Sequence, residues 1–112
     1  MEKFMYLFRG GMASEEASNV PPDHMQKWMK WMEGLGQKGI LVGGEPLQPT
    51  GKFLKSKKVV TDGPFVEAKE IVGGYLIVNA KDINEAVEIS KDCPAFEVGG
   101  TVEVRPIQKM EV

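Results

Sequence analysis

Two stretches of this chain are apolar almost without a break, two others are apolar on one side only, and that contrast predicts its main elements. Phe4-Met5-Tyr6-Leu7-Phe8 is a run of five apolar residues, too short for a buried helix and suited to a strand covered on both faces. Gly10 and Gly11 end it. The stretch Val72-Gly73-Gly74-Tyr75-Leu76-Ile77-Val78-Asn79-Ala80 reads as a second strand of the same kind. The one-sided stretches are helical. Proline suits a first helical turn, so a helix is predicted over Pro22 to Gln37. His24, Met25, Trp28, Met29, Trp31, Met32 and Leu35 fall on one arc of it, with Gln26, Lys27, Lys30, Glu33 and Gln37 opposite. Gly39 is its stop signal. Asp82-Ile83-Asn84-Glu85 has capping-box spacing, and Ile83, Ala86, Val87 and Ser90 share a face of the helix that follows.

Shorter elements fill the gaps. Ile40-Leu41-Val42 gives a strand ending at Gly43-Gly44-Glu45-Pro46. A turn at Pro49 to Gly51 then precedes an extra hairpin strand near Lys57 to Thr61, closed by the turn Asp62-Gly63-Pro64-Phe65. Cys93-Pro94 ends the second helix, and Gly99-Gly100 introduces a last strand, Thr101 to about Lys109, in which Val102 and Val104 alternate with Glu103 and Arg105. The order predicts an α+β fold: a ferredoxin-like split βαβ antiparallel sheet with two helices on one face and an extra hairpin strand. The two continuously apolar strands belong at its centre. Two helices cover one face only. Tyr75, Ile77 and alternate residues of Phe4 to Phe8 then form an exposed apolar patch larger than a monomer tolerates, and a homodimer packed sheet to sheet is expected.

Composition narrows the function classes. At 112 residues the chain fits one domain, 1–112, with one core. Hydrophobic residues at 42% and charged residues at 27% fit an ordinary soluble domain and argue against disorder and a membrane span. Fourteen basic against sixteen acidic side chains, with no basic cluster, make nucleic acid a poor ligand. The first residues read as a strand rather than a signal peptide, so the cytoplasm is the expected location. One cysteine and one histidine exclude an internal disulfide and cysteine-rich or histidine-rich metal sites, leaving only a carboxylate site for metal. No phosphate loop, nucleophile elbow or dinucleotide fingerprint is present, and no cofactor is indicated.

Candidate chemistry gathers at a few positions. Thr61 to Glu70 holds Asp62, Glu67, Lys69 and Glu70 within ten residues. Asp62 reads either as a turn residue bonding nearby amides or as a general acid or base at a cleft mouth, tuned by Glu67, Lys69 or Glu70. His24 reads as a locally satisfied, part-buried histidine or as a proton-transfer group. Glu45, after two glycines at a strand end, is either a solvated loop residue or a carboxylate aimed into a pocket. Arg105 is a structural ion-pair partner or a clamp for a substrate carboxylate. Cys93 reads as a buried inert thiol. Trp28 and Trp31 read as core, or as the floor of an apolar cleft.

Leu41-Val42-Gly43-Gly44-Glu45-Pro46-Leu47, Thr61 to Glu70, Gly73-Gly74-Tyr75, Cys93-Pro94, Gly99-Gly100 and Val102-Glu103-Val104-Arg105-Pro106 recur in an order that resembles the YCII-related family, in particular its Asp-Gly-Pro-Phe (DGPF-domain) branch. The resemblance implies a ferredoxin-like fold and a dimer with a cleft between subunits. Some members of the wider family are associated with a His and Asp pair, and one acts as a dehydrochlorinase on a chlorinated hydroquinone derivative. His24 is similar in position to that histidine. The aspartate is expected where this chain has Cys93-Pro94, so the pair is incomplete.

Two functions compete. One is a cofactor-independent enzyme in which Asp62 and His24 move protons on a small organic acid or phenol, with Glu45, Lys69, Glu70 and Arg105 binding the substrate. The other is a non-catalytic binding or regulatory module, for which the resemblance implies an extracytoplasmic-function sigma factor as partner.

Overall fold

A computed structural model describes residues 1–10, 21–63 and 71–110. Along these run β1 (Glu2–Arg9), α1 (His24–Gln37), β2 (Leu41–Pro46), β3 (Gly51–Ser56), β4 (Val59–Gly63), β5 (Val72–Ala80), α2 (Ile83–Ser90), a 3₁₀ helix (Pro94–Val98) and β6 (Thr101–Pro106). The main sheet is antiparallel, in the order β2-β5-β1-β6. The two continuously apolar strands are therefore its centre.

Alternation divides each central strand between two faces. Phe4 stands opposite Val78 and Tyr6 opposite Leu76, and all four are buried, joined by Ala80 and by Ala86 of α2. Trp31, Met32, Ile89, Val102 and Val104 pack against this cluster from the helices and β6. The Tyr6 hydroxyl donates to the Ala86 carbonyl at 2.5 Å, tying the centre of the sheet to α2. On the other face Met5 stands opposite Ile77 and Leu7 opposite Tyr75, and these four side chains are only half buried.

Several boundaries differ from expectation. Helix α1 begins at His24 rather than Pro22, and its buried stripe is narrower than the arc, because Met25 and Met29 are 55% and 62% exposed. Gly39 does end it, in the left-handed region at φ 72°. Asp82 caps α2 by accepting from the Glu85 amide at 2.9 Å, while the Glu85 carboxylate reaches back to the Lys81 amide rather than to that of Asp82. Helix α2 stops at Ser90. Cys93-Pro94 does not end it but starts the 3₁₀ helix, with Pro94 in the first turn, where no amide hydrogen is needed. Strand β6 ends at Pro106, short of Lys109. In place of one extra strand there are two, β3 and β4, which among the described residues pair with each other and not with the main sheet. No described helix is long and apolar enough to cross a membrane.

Candidate functional site

At one end of the sheet the first turns of α1, the ends of β1 and β2, the start of β5 and the 3₁₀ helix enclose a cavity of about 330 Å³. Phe8, Trp28, Met25, Leu47 and Val98 make its walls apolar, and His24 lies among them. The two tryptophans divide their roles: Trp31 stacks on the core residue Tyr6, whereas Trp28 lines the cavity and meets Phe8 edge-on, with ring centres 5.0 Å apart. Arg9 also borders the cavity, but its guanidinium donates to the Glu103 carboxylate at 2.6 Å.

His24 is 1% exposed and has both ring nitrogens engaged. The Trp28 indole donates to Nε2 at 2.9 Å. An indole N–H can only donate, so Nε2 accepts, and the ring proton sits on Nδ1, 3.2 Å from the Glu97 carboxylate. This is a neutral imidazole held between a donor and an acceptor. Lys27, one turn along α1, reaches the other oxygen of Glu97 at 2.5 Å and lies 3.7 Å from Asp23. Hydrogen bonds first from Lys27 and then from His24 hold the Glu97 carboxyl below the usual glutamate range, and Glu97 in turn raises Lys27.

The backbone that presents Glu97 depends on close packing. Cys93 Sγ accepts from the Ala95 amide at 3.4 Å, opening the 3₁₀ helix, and Gly99 closes it at φ 76°. At Gly100 a Cβ would meet the Ala95 carbonyl at 2.9 Å and that of Arg9 at 3.2 Å. The absent side chain lets this loop sit against β1, which turns Glu97 toward α1. Glu97, four residues after Cys93, is the carboxylate that faces His24. The sequence signal for it was an acid just beyond the position where an aspartate was expected.

A test of the Lys27–Glu97–His24 cluster follows from the shift at Glu97. A carboxyl whose folded pKa is depressed contributes stability that is present above its unfolded value, 4.5, and lost as pH falls through the folded one. Glu97→Gln is expected to flatten the acid side of the stability profile, measured by urea unfolding from neutral pH down to about pH 3. Equal acid slopes in the two proteins would rule the coupling out.

The other candidates lie elsewhere. Asp62 is a residue of β4, 84% exposed at its side chain and ion-paired with Lys52 across the hairpin. It does not border the His24 cavity. Glu45 stands opposite Tyr75 on the half-buried face of the sheet and borders a smaller cleft of about 130 Å³ with Gly74. Arg105 lies on that same face opposite Met5, with Nε 3.8 Å from Glu103. Glu67, Lys69 and Glu70 lie outside the described residues, as does the remainder of the Asp62 turn from Pro64 onward. Cys93 is 4% exposed, and burial pushes its thiol up to about 11, the setting of an inert side chain.

The solved structure of 5-chloro-2-hydroxyhydroquinone dehydrochlorinase from Burkholderia phenoliruptrix AC1100, in complex with 2,5-dihydroxybenzoquinone, resembles this chain with a TM-score of 0.56. The two share 18% identity, and the likeness covers 95% of this chain and 93% of the dehydrochlorinase. At that identity the likeness shows a common fold. No curated protein matches the sequence. The sequence model of the YCII-related domain matches residues 4–111, nearly the whole length, and the chain belongs to the YCII-related family.

Proposed function

We propose that the cavity beside His24 binds a single-ring phenol or small organic acid and that His24 takes the ligand's acidic proton, in a homodimer and without a cofactor. The observation that carries this reading is the imidazole on the cavity wall, with Nδ1 fixed by Glu97 and Nε2 held only by an indole N–H. A ligand hydroxyl can replace that indole as donor to Nε2. Proton transfer to Nε2 then creates an imidazolium beside the Glu97 carboxylate, the orienting and charge-balancing arrangement that acid–base catalysis requires. A volume of 330 Å³ is at the small end of ligand sites, which run from about 300 to 1,000 Å³. Aromatic walls suit a flat ring. The dehydrochlorinase of similar fold, named for 5-chloro-2-hydroxyhydroquinone, supports the same ligand class.

In this reading Glu97 takes the place held for Asp62 beside the histidine, and Glu45 and Arg105 serve the open face of the sheet.

Calorimetric titration with phenol and with 2,5-dihydroxybenzoquinone tests the proposal. Saturable binding is expected, weakened at least tenfold or so in His24→Phe and retained in Trp28→Phe, where Nε2 is released. Circular dichroism checks that each variant folds. No saturable heat at millimolar ligand, or full affinity in a folded His24→Phe protein, would overturn the reading and favour a non-catalytic binding module.

A further inference from the structure

Two side chains of α1 share one carboxylate. His24 and Lys27 lie three residues apart, the spacing that sets helical side chains beside each other, and each takes one oxygen of Glu97. Nδ1 of His24 stands 3.2 Å from Oε2, and Nζ of Lys27 donates to Oε1 at 2.5 Å. The two contacts are unequal. The first joins a neutral ring N–H to the carboxylate over a long distance, whereas the second is short and joins full charges. Glu97 belongs to a 3₁₀ helix of five residues, and its side chain is 32% exposed. Held by the ring alone, the carboxylate would trade one long bond for hydration and for the rotamer freedom of a glutamate.

An exposed lysine–glutamate pair does little for stability by itself. This one has a different consequence, because the oxygen that Lys27 leaves over faces a buried imidazole. On its other side Lys27 lies 3.7 Å from Asp23, so the ammonium sits between two carboxylates and bonds the nearer, Glu97. The ring needs that hold. A neutral imidazole carries its proton on one nitrogen or the other, and only the form with the proton on Nδ1 leaves Nε2 an acceptor. Two groups favour that form: the Trp28 indole, which donates to Nε2, and Glu97, which accepts from Nδ1. While a ligand hydroxyl takes the place of the indole, Nε2 is without a donor, and Glu97 alone keeps the proton on Nδ1.

We propose that Lys27 is a positioning residue for His24: by holding one oxygen of Glu97 it aims the other at Nδ1, and so keeps Nε2 free to accept a proton. The inference rests on the reading of His24 as proton acceptor, but it concerns the ligand-free ring and is tested there.

The chain has one histidine, so proton–nitrogen correlation NMR reads the ring's tautomer without overlap, at about pH 8, above the ordinary histidine range. Trp28→Phe removes the indole donor, and the ring is expected to stay in the Nδ1–H form. Adding Lys27→Met should shift the tautomer ratio toward Nε2–H by about tenfold or more, the worth of a hydrogen bond to a charged group. Lys27→Arg in its place should restore the ratio. Lys27 is 46% exposed, so its replacement is expected to leave the fold intact. In the chain that keeps Trp28, Lys27→Met alone should move the Nδ1 proton upfield as its bond to Glu97 is lost, a readout that does not depend on the double variant. A mixed ring already in Trp28→Phe, a ring that keeps the Nδ1–H form in the double variant, or an Nδ1 proton unmoved by Lys27→Met overturns the positioning role. Phenol that fails to bind while these shifts appear overturns the proton-transfer reading and leaves the positioning role standing.

Discussion

Gly44→Ala is expected to destabilise the protein by about 3 kcal/mol, whereas Gly43→Ala, one residue earlier, is expected to be close to neutral. A Cβ at Gly44 would fall onto the Tyr75 carbonyl and the Leu76 side chain, and within 2.8 Å of the Leu76 Cα. Two of those atoms belong to the backbone of β5, a central strand, and cannot swing aside as the end of a side chain can. Relief requires β2 to lift from β5 just beyond the bulge between Leu41 and Gly43. At Gly43 nothing lies within 4 Å of the added carbon. Alanine there also restricts the unfolded chain, which offsets any small loss. For a domain of about this size, 3 kcal/mol lowers the melting temperature by roughly 10–20 °C. Thermal unfolding followed by circular dichroism compares the two variants directly. Equal melting temperatures would show that β2 does not approach β5 so closely.

Alkaline solution should destabilise the protein progressively as pH rises from about 9 toward 11. Burial raises Cys93 from 9.0 to about 11. Burial, and secondarily the charge of Cys93, raises Tyr6 above its ordinary 10.0. In both cases the fold favours the neutral acid. The unfolded chain therefore releases these protons first, and stability falls as pH rises from about 9, where the unfolded thiol ionises, through the folded values. Two units at Cys93 correspond to about 3 kcal/mol lost by pH 11. Tyr6 adds to the loss above pH 10. Lys27, raised by Glu97, acts in the same direction: its contribution is complete below 10.5 and disappears as pH rises through the folded value. Urea midpoints measured across this range should fall steeply. Cys93→Ala should remove the part of the slope that begins near pH 9, and Tyr6→Phe the part above 10. Tyr6→Phe should also cost about 1 kcal/mol at neutral pH, because the Ala86 carbonyl loses its buried donor. An unchanged slope in Cys93→Ala would assign the alkaline transition to other groups.

The two tests probe separate contacts: Gly44 where β2 meets β5, and Tyr6 where β1 meets α2. Tyr6 and Gly44 are far apart along the chain, yet each is constrained by the backbone of another element, Tyr6 by Ala86 of α2 and Gly44 by Tyr75 and Leu76 of β5. The functional cluster is built likewise. His24 and Trp28 are one helical turn apart and meet by local geometry, but Glu97 reaches them only because the loop around Gly100 presses against β1.

That distinction separates what was legible in the sequence from what was not. Hydrophobic patterning alone marked β1 and β5 as central, because a strand covered on both faces has no polar alternation to lose. Local chemistry placed the Gly39 stop and the Asp82 cap, since both depend on residues within a turn of each other. Family membership was legible in motifs such as Leu41 to Leu47 and Cys93-Pro94. The exposure of Met25 and Met29 was not, because an apolar arc gives a helix a buried side without fixing how wide the contact is. Nor was the separation of β3 and β4 from the main sheet, since strand signals carry no partner. Glu97 stayed hidden for the same reason: its meaning lies in a 3.2 Å approach to a residue 73 positions away. The sequence by itself determined the sheet centre, the helices and the family. Tertiary packing decided which carboxylate faces His24, where the cavity opens and which apolar surfaces remain uncovered, because these are contacts between elements and no single stretch of chain encodes them.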